Sequence, residues 1–445
     1  MIFRVLSFAL SPQKKKLEEK KTMEEPIKTT AAPRGVVVGG SIAGLCCAHA
    51  LVAAGWEVKV IEKSASPPSG SPTGAGLGLD SQSCRTLSRW ISDTDLILTS
   101  TFPLSVELNQ LTDSENKTSR TLVRDDNFGF RAAHWADLHS ILYKSLPAGI
   151  VLWGHQYLSF ETFSNKPSVL VKAKVLRTDE NVELFGDLLI AADGCLSSIR
   201  QHFLPDFKLR YSGYTAWRGV LDFSGRESSD TISGIRRAYP VLGNCLYFDL
   251  AHKTHSVFYE LKNNRLNWIW YINGPEPELK GNSMTMKVRE DMITKMHEEA
   301  KNVWVPELAK VIVETNEPFI NAIYDSDPLP QLIFDNVVLV GDAAHPTTPH
   351  GLRSTNMSVL DAAILGHCLE KWGLESLTSA LDEFQKVRLP VVSSQVLHAR
   401  QLGRIKQGLV LQDHKVFDPR MATPEECLQL QQRNMPFFDT TPFTC

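Results

Sequence analysis

Residues 337–362 read VVLVGDAAHPTTPHGLRSTNMSVLDA, and their reading decides the fold. Val337, Val338, Leu339 and Val340 are a short apolar run of the kind that forms a buried strand. Gly341-Asp342 then turns the chain, a loop follows, and a helix resumes beyond it. A carboxylate at a strand tip suits a polyol, and the N–H groups of a helix start favour negative charge.

A second element lies about three hundred residues upstream. Val36, Val37 and Val38 precede GGSIAG (39–44), an apolar helix follows over 45–54, and a strand over Glu57–Glu62 ends in an acid. This is the β-α-β dinucleotide fingerprint with its context intact. Gly39 permits the tight turn and Gly44 lets the helix pack on the strand. The helix start, Ser41-Ile42-Ala43, offers N–H groups to a pyrophosphate, and Glu62 can accept from ribose hydroxyls. Ser41 stands where the fingerprint has its middle glycine, and its hydroxyl can itself donate to phosphate. A third strand, DLLIAADG (187–194), ends in Asp193-Gly194, and CLSSIR (195–200) opens a helix with Arg200 in its first turns. One such turn fits any nicotinamide or flavin enzyme. Turns this far apart that close on one extended cofactor point to FAD.

The rest of the chain bounds the possibilities. It has 445 residues, 43% hydrophobic and 22% charged, with a net charge of -3. That is room for two or three domains and an ordinary globular composition. The charge gives no reason to expect nucleic acid as a partner. No apolar run reaches the roughly 18 residues that span a bilayer, so no stable membrane insertion is expected. Eight scattered cysteines without CxxC spacing read as reduced thiols, with no metal site and a cytoplasmic location. Residues 1–33 read as a disordered extension; organelle targeting by this segment stays open. Between the cofactor motifs, residues 211–272 alternate with period two and are rich in aromatics, which predicts antiparallel strands with one face buried. Residues 286–303 have helical spacing, and the periodicity of 377–404 breaks at Pro390, before a Pro-containing tail.

In this order the turn at 39–44, DLLIAADG, GYTAWRG (213–219) and the 337–349 segment resemble the class A FAD-dependent aromatic hydroxylases. That family is typified by para-hydroxybenzoate hydroxylase, and the resemblance covers about residues 35–404. It is nearest to the hydroxypyridine-hydroxylase branch and related plant FAD/NAD(P)-binding oxidoreductases. The resemblance implies an α/β fold, with a discontinuous Rossmann-like FAD-binding domain (34–104, 125–210 and 325–365). An antiparallel β-sheet substrate domain (105–124 and 211–324) is inserted, and C-terminal helices and tail (366–445) follow. It implies an ADP site at Gly39, Ser41, Ile42, Ala43, Gly44, Glu62 and Lys63, with Arg131, Asp193, Gly194 and Arg200 also on the cofactor. Gly341 and Asp342 would hold the ribityl chain, with Pro349, Ser354, Thr355 and Asn356 against the flavin ring.

Two departures stand out. The family's loop reads Pro-x-x-Gly-x-Gly-x-Asn, whereas here the glycines are Leu352 and Ser354. An arginine common in the family is replaced by Trp135. The WxWxI spacing at Trp268, Trp270 and Ile272 resembles the flavin-dependent halogenase signature, but Asn273 stands where that signature has proline. The 74–85 segment also lacks that family's lysine, so the residues read as one aromatic face of a strand.

The implied activity is that of an FAD-dependent NAD(P)H monooxygenase, with NAD(P)H as a transient co-substrate. With O2 it would hydroxylate or epoxidise a small aromatic, heteroaromatic or isoprenoid substrate through a flavin C4a-hydroperoxide. His350, Arg353 and Arg218 are the candidate catalytic residues, in a monomer or homodimer. An FAD-binding oxidase or a non-hydroxylating regulatory flavoprotein is the alternative that Leu352 and Ser354 favour. A nicotinamide-only dehydrogenase is opposed by Gly341-Asp342.

Overall fold

The computed structural model describes residues 32–68, 74–163, 168–278, 283–410 and 415–432. The expected N-terminal extension, apart from Ala32 and Pro33, lies outside them, as does the chain beyond Gln432.

The apolar runs of the sequence assemble into a six-stranded sheet. Its order is Ile333–Phe334, Val337–Leu339, Leu188–Ala191, Arg34–Val38, Glu57–Glu62 and Val151–Trp153. All neighbours are parallel except the first pair. Val37, Leu188, Leu189, Ile190, Val337, Val338 and Leu339 have no exposed surface. Parallel strands covered on both faces read as unbroken apolar runs, which is why they were visible without periodicity. Each such side chain contributes roughly 1.5–3 kcal/mol by burial. The helix Ile42–Ala53 covers this sheet and packs against the long helix Arg353–Trp372.

A second sheet of eight strands carries the middle of the chain. Its order is Thr285–Met286, Phe319–Asp325, Arg210–Asp222, Arg265–Asn273, Thr254–Leu261, Cys245–Ala251, Val106–Asp113 and Thr118–Asp125. The pairing is antiparallel except for Cys245–Ala251 with Val106–Asp113, which run parallel. The expectation of one buried face is corrected. Thr254–Leu261 and Cys245–Ala251 are buried at every position. The helices Asp230–Ala238, Glu290–Val303 and Pro306–Val313 cover one face, and the other packs towards the loops of the first sheet. Trp268 and Trp270 belong to the helix-covered core, where their indole N–H groups donate to Thr315 and Thr254. The tryptophan spacing is therefore packing.

Two further expectations move. The helix expected from 286 begins at Glu290, because Thr285–Met286 pairs as a strand with Phe319–Asp325. Leu377–Lys406 is one helix of 30 residues that runs through Pro390. An interior proline costs about 3 kcal/mol. Here Leu381, Phe384, Val392 and Val396, buried on both sides of it, offset that cost.

Candidate active site

The first cofactor turn is built so that no other residue fits. Gly39 has φ +106, and a Cβ there would lie 2.2 Å from the Ala192 carbonyl oxygen. A Cβ on Gly44 would lie 1.8 Å from the Gly39 oxygen. Glu62 locks the turn by accepting from the Gly40 N–H at 2.8 Å and the Ser64 N–H at 2.7 Å. Ser41 is the exposed N-cap of the helix, and its side chain makes no capping bond. The first N–H groups of that helix have no intrahelical acceptor, and with the Ser41 hydroxyl they form a ready anion cradle. Ile42 is buried and Ala43 half-buried behind them, and Lys63 is exposed beyond Glu62.

The distant Gly341-Asp342 turn comes directly onto this cradle. Gly341 has φ +57, and a Cβ on it would meet the Ala43 methyl at 2.8 Å. Residues about three hundred positions apart are thus in contact. The carboxylate of Asp342 accepts from Ser354 Oγ at 2.8 Å and lines a cavity. A buried ion cluster fixes the turn. Asp361 Oδ2 accepts from the Gly341 N–H at 3.0 Å and from His345 Nε2 at 2.6 Å, and its Oδ1 from Arg388 Nε at 2.8 Å. Burial alone would raise the Asp361 carboxyl, but the His345 ring and the Arg388 guanidinium outweigh it and hold it at about 2.

Asp193 and Arg200 both bond to the protein's own backbone. Asp193 Oδ2 accepts from the backbone N–H groups of Ser198 at 2.9 Å and Ile199 at 3.3 Å, so it caps the helix Ser198–Phe203. Arg200 is buried and donates to the carbonyls of Asp342 at 3.2 Å, Ala343 at 2.9 Å and Cys195 at 2.5 Å. Its guanidinium also lies 4.0 Å over the Phe207 ring. Through those carbonyls it shapes the Asp342 turn, while its Nε has no hydrogen-bond partner among the described residues. Gly194 keeps φ +83 with nothing within 4 Å of a Cβ, so that stretch of backbone is open. Arg131 donates to Thr101 Oγ1 at 2.6 Å and to the carbonyls of Leu98 at 2.6 Å and Thr101 at 3.0 Å, tying down a neighbouring loop.

The loop after Pro349 faces the cavity through Pro349, His350, Leu352, Arg353, Ser354 and Thr355. Leu352 has φ +56, the left-handed conformation that a glycine adopts without strain. The backbone keeps that turn although the residue is leucine, and the leucine packs against Gly78. Asn356 points the other way and is fully buried. Its Oδ1 accepts from the Asp80 N–H at 3.0 Å and its Nδ2 donates to the Gly78 carbonyl at 2.9 Å. Arg353 is buried beside Asp80, 3.1 Å from its carboxylate.

The cavity, about 750 Å³, lies between the large sheet and these loops. Residues 74–78, Trp135 and Cys195 border it on the cofactor side, and Arg218, Phe248, Tyr259 and Tyr271 on the sheet side. Burial, then the Asp342 charge, push the Cys195 thiol up to about 12, so it is a neutral wall. Arg218 is half-buried, its Nε has no hydrogen-bond partner, and no carboxylate among the described residues pairs with it. His350 is buried, with Tyr214 OH 3.3 Å from Nδ1 and His255 Nε2 3.3 Å from Nε2. Burial, then His255, Lys406 and Arg218, hold His350 well below the usual histidine range. His255 is pushed down to about 3 by burial and Lys406, against the hydrogen bond from its Nδ1 to Gln407. Both rings are neutral at physiological pH.

Sequence reading missed His255, Asp80, Arg388 and Lys406. None lies in a motif, and only the fold brings them in. The residues present fit FAD. The two cofactor turns touch, the anion cradle has a free hydroxyl, and an acid at each strand tip keeps lone pairs for hydroxyls. Among the described residues no cluster of His, Cys, Asp and Glu could hold a metal ion. No described helix is long and apolar enough to cross a membrane.

Residues 37–75 match a family model described as an NAD(P)-binding Rossmann-like domain. The aurachin C monooxygenase/isomerase of Stigmatella aurantiaca is 26% identical over 84% of this chain and 89% of its own length. The 6-hydroxynicotinate 3-monooxygenase of Bordetella bronchiseptica is 26% identical over 80% of this chain and 88% of its own. Among solved structures, 2,6-dihydroxypyridine-3-hydroxylase from Arthrobacter nicotinovorans superposes with a TM-score of 0.71 at 20% identity. That match covers 87% of this chain and 99% of the other. The chain therefore has the fold of the class A FAD-dependent hydroxylases, and its resemblance to that family, read first from the motifs, holds over most of its length.

Proposed function

We propose that this protein is an FAD-dependent monooxygenase that takes electrons from NAD(P)H and inserts one oxygen atom of O2 into a small electron-rich substrate. The observation that carries this reading is the contact of the Gly341 turn with Ala43 beside an aromatic-lined cavity. Bound FAD supplies the redox chemistry and the activation of oxygen.

The chain's own residues bind, orient and shield. The helix start at Ser41 takes the pyrophosphate, and Glu62 takes a ribose hydroxyl with lone pairs left over from Gly40 and Ser64. Asp342, oriented by Ser354, holds the ribityl hydroxyls. Pro349, Ser354 and Thr355 would hold the flavin ring, and Asn356 pins their loop to Gly78 and Asp80. On the substrate side Arg218 attracts the anionic form of a phenol or hydroxy-heterocycle. His350, kept neutral, lines the cavity with its ring held between Tyr214 and His255. The apolar walls exclude water from the reacting atoms. Substrates in this reading are hydroxylated aromatics or N-heterocycles, with isoprenoid double bonds as the epoxidation variant.

Stopped-flow flavin reduction by NADPH or NADH tests this against a panel of phenols, hydroxypyridines and terpenoids. Faster reduction and hydroxylated or epoxidised product with one class supports it. Leu352, whose side chain enters the cavity where the family has glycine, favours a second reading, a flavoprotein that does not hydroxylate. Flavin reduction with hydrogen peroxide as the only oxygen product across the panel would select that second reading.

A further inference from the structure

The sheet face that borders the cavity holds a cation without a counterion. Arg218 lies on the strand Arg210–Asp222, directly opposite Ile269 on one neighbouring strand and Phe319 on the other. Ile269 is paired in turn with Val257, and Val257 with Phe248. Residues directly opposite one another project to the same side of a sheet. Ile269, Phe319, Val257 and Phe248 all line the cavity, so the Arg218 side chain stands on the cavity side. Trp217, the residue before it, turns the other way into the helix-covered core.

Arg218 itself lines the cavity and is half-buried, so it keeps surface there. Its charge acts on three other residues of the same wall. It opposes the rise that burial imposes on the phenols of Tyr259 and Tyr271, and it helps to hold His350 low. Burial wins at both phenols, and Tyr271 is pushed up to about 12. Both stay protonated, and neither supplies a negative charge. The acids that border the cavity, Asp342 and Glu317, make no ion pair with Arg218, and its guanidinium donates no hydrogen bond to any described residue.

A cation held partly out of water without a counterion is unfavourable, and a bound anion removes that cost. The planar fork of an arginine matches a carboxylate through two parallel N–H···O bonds. A carboxylate also brings its charge at every physiological pH, whereas an ordinary phenol holds its proton up to about pH 10.

We propose that Arg218 anchors a carboxylate carried by the substrate, so that the pocket takes aromatic or unsaturated acids in preference to their neutral analogues. Simple phenols and neutral terpenoids are then weak ligands. This rests on the monooxygenase reading for taking the cavity as the substrate site.

The test uses the full-length, FAD-loaded protein and matched pairs of probes, each an acid with its neutral carboxamide. The acids are 4-hydroxybenzoate, 4-hydroxycinnamate and indole-3-carboxylate. Binding is read from the change in the flavin absorption band. The wild type is expected to bind the acid of at least one pair about tenfold or more tightly than the amide. Arg218→Gln and Arg218→Met, which remove the charge, are each expected to lower that ratio about tenfold or more, with FAD content unchanged. A smaller wild-type ratio in every pair, no binding of any probe included, overturns the proposal, and so does a smaller fall in the variants. Since the wild-type comparison can overturn it alone, a variant that fails to fold does not shelter it. FAD content and flavin reduction without probes report separately on the monooxygenase reading.

Discussion

The two sides of the cleft are built in opposite ways. On the cofactor side the contacts come from backbone, three turns at strand tips held by buried charge such as the Asp361, His345 and Arg388 cluster. On the substrate side they come from side chains, aromatic rings and the neutral His255 on strands of the large sheet, with the neutral His350 of the loop packed against them. Backbone geometry constrains residue type tightly, so the first side is rigid and stereotyped. Side-chain walls tolerate exchange, so the second can be refitted to new substrates without disturbing the first.

The largest expected effect attacks the rigid side. Asp361→Ala leaves Arg388 buried without its partner and should cost about 3–5 kcal/mol in urea unfolding. The same carboxyl sets an acid limit. It is held at about 2 in the folded protein against 3.8 ordinarily, so its contribution is present above pH 4 and lost as pH falls towards 2. That contribution is roughly 2 kcal/mol. An Asp361→Ala protein as stable as wild type would mean that the turn needs no ionic support.

Asp342→Ala removes a cavity-facing acceptor and leaves the fold intact. FAD affinity should fall about tenfold to a hundredfold, seen as loss of yellow colour on gel filtration; full retention would refute the ribityl role.

The histidines sharpen the other half of the contrast. His255 is pushed down to about 3 when folded and titrates near 6.5 when unfolded. Between those values the unfolded chain binds the proton and the folded one does not. Its contribution is therefore present above pH 6.5 and declines as pH falls towards 3. His255→Asn should reduce the loss of stability between pH 7.5 and 5.5 by about 1 kcal/mol, read from urea midpoints at the two pH values. An unchanged pH dependence would mean that His255 is charged in the fold.

Leu352→Gly should move stability least, within about 1 kcal/mol, because relief of the left-handed backbone offsets lost packing on Gly78. Its informative readout is the share of NAD(P)H oxidation that ends in hydroxylated product. A rise in that share would make Leu352 a brake on coupling, and no change would make it a wall.

The same contrast explains what was legible beforehand. Gly39, Gly44 and Gly341 had to be glycine for reasons of backbone, and Val36 to Val38 and Val337 to Val340 had to be apolar because both sheet faces are covered. Those requirements leave marks within a few residues of chain. Asp193 and Arg200 are ambiguous from sequence, because a strand-tip carboxylate followed by an arginine looks the same whether it serves phosphate or caps a helix. His255 and Arg388 left no local mark at all. Each matters only through a neighbour about a hundred residues away or, for Arg388, 27 residues away. Pro390 misled through a local rule that the packing of a long helix overrides.

That long helix has one more implication. Arg388 near its middle grips the acid that anchors the Gly341 turn, and Lys406 and Gln407 at its end hold the strand of Glu107 and the ring of His255. Eighteen residues of α-helix make a strut of about 27 Å. Cofactor seat and substrate wall are therefore bolted to one girder, and any tilt that relaxes one must re-aim the other.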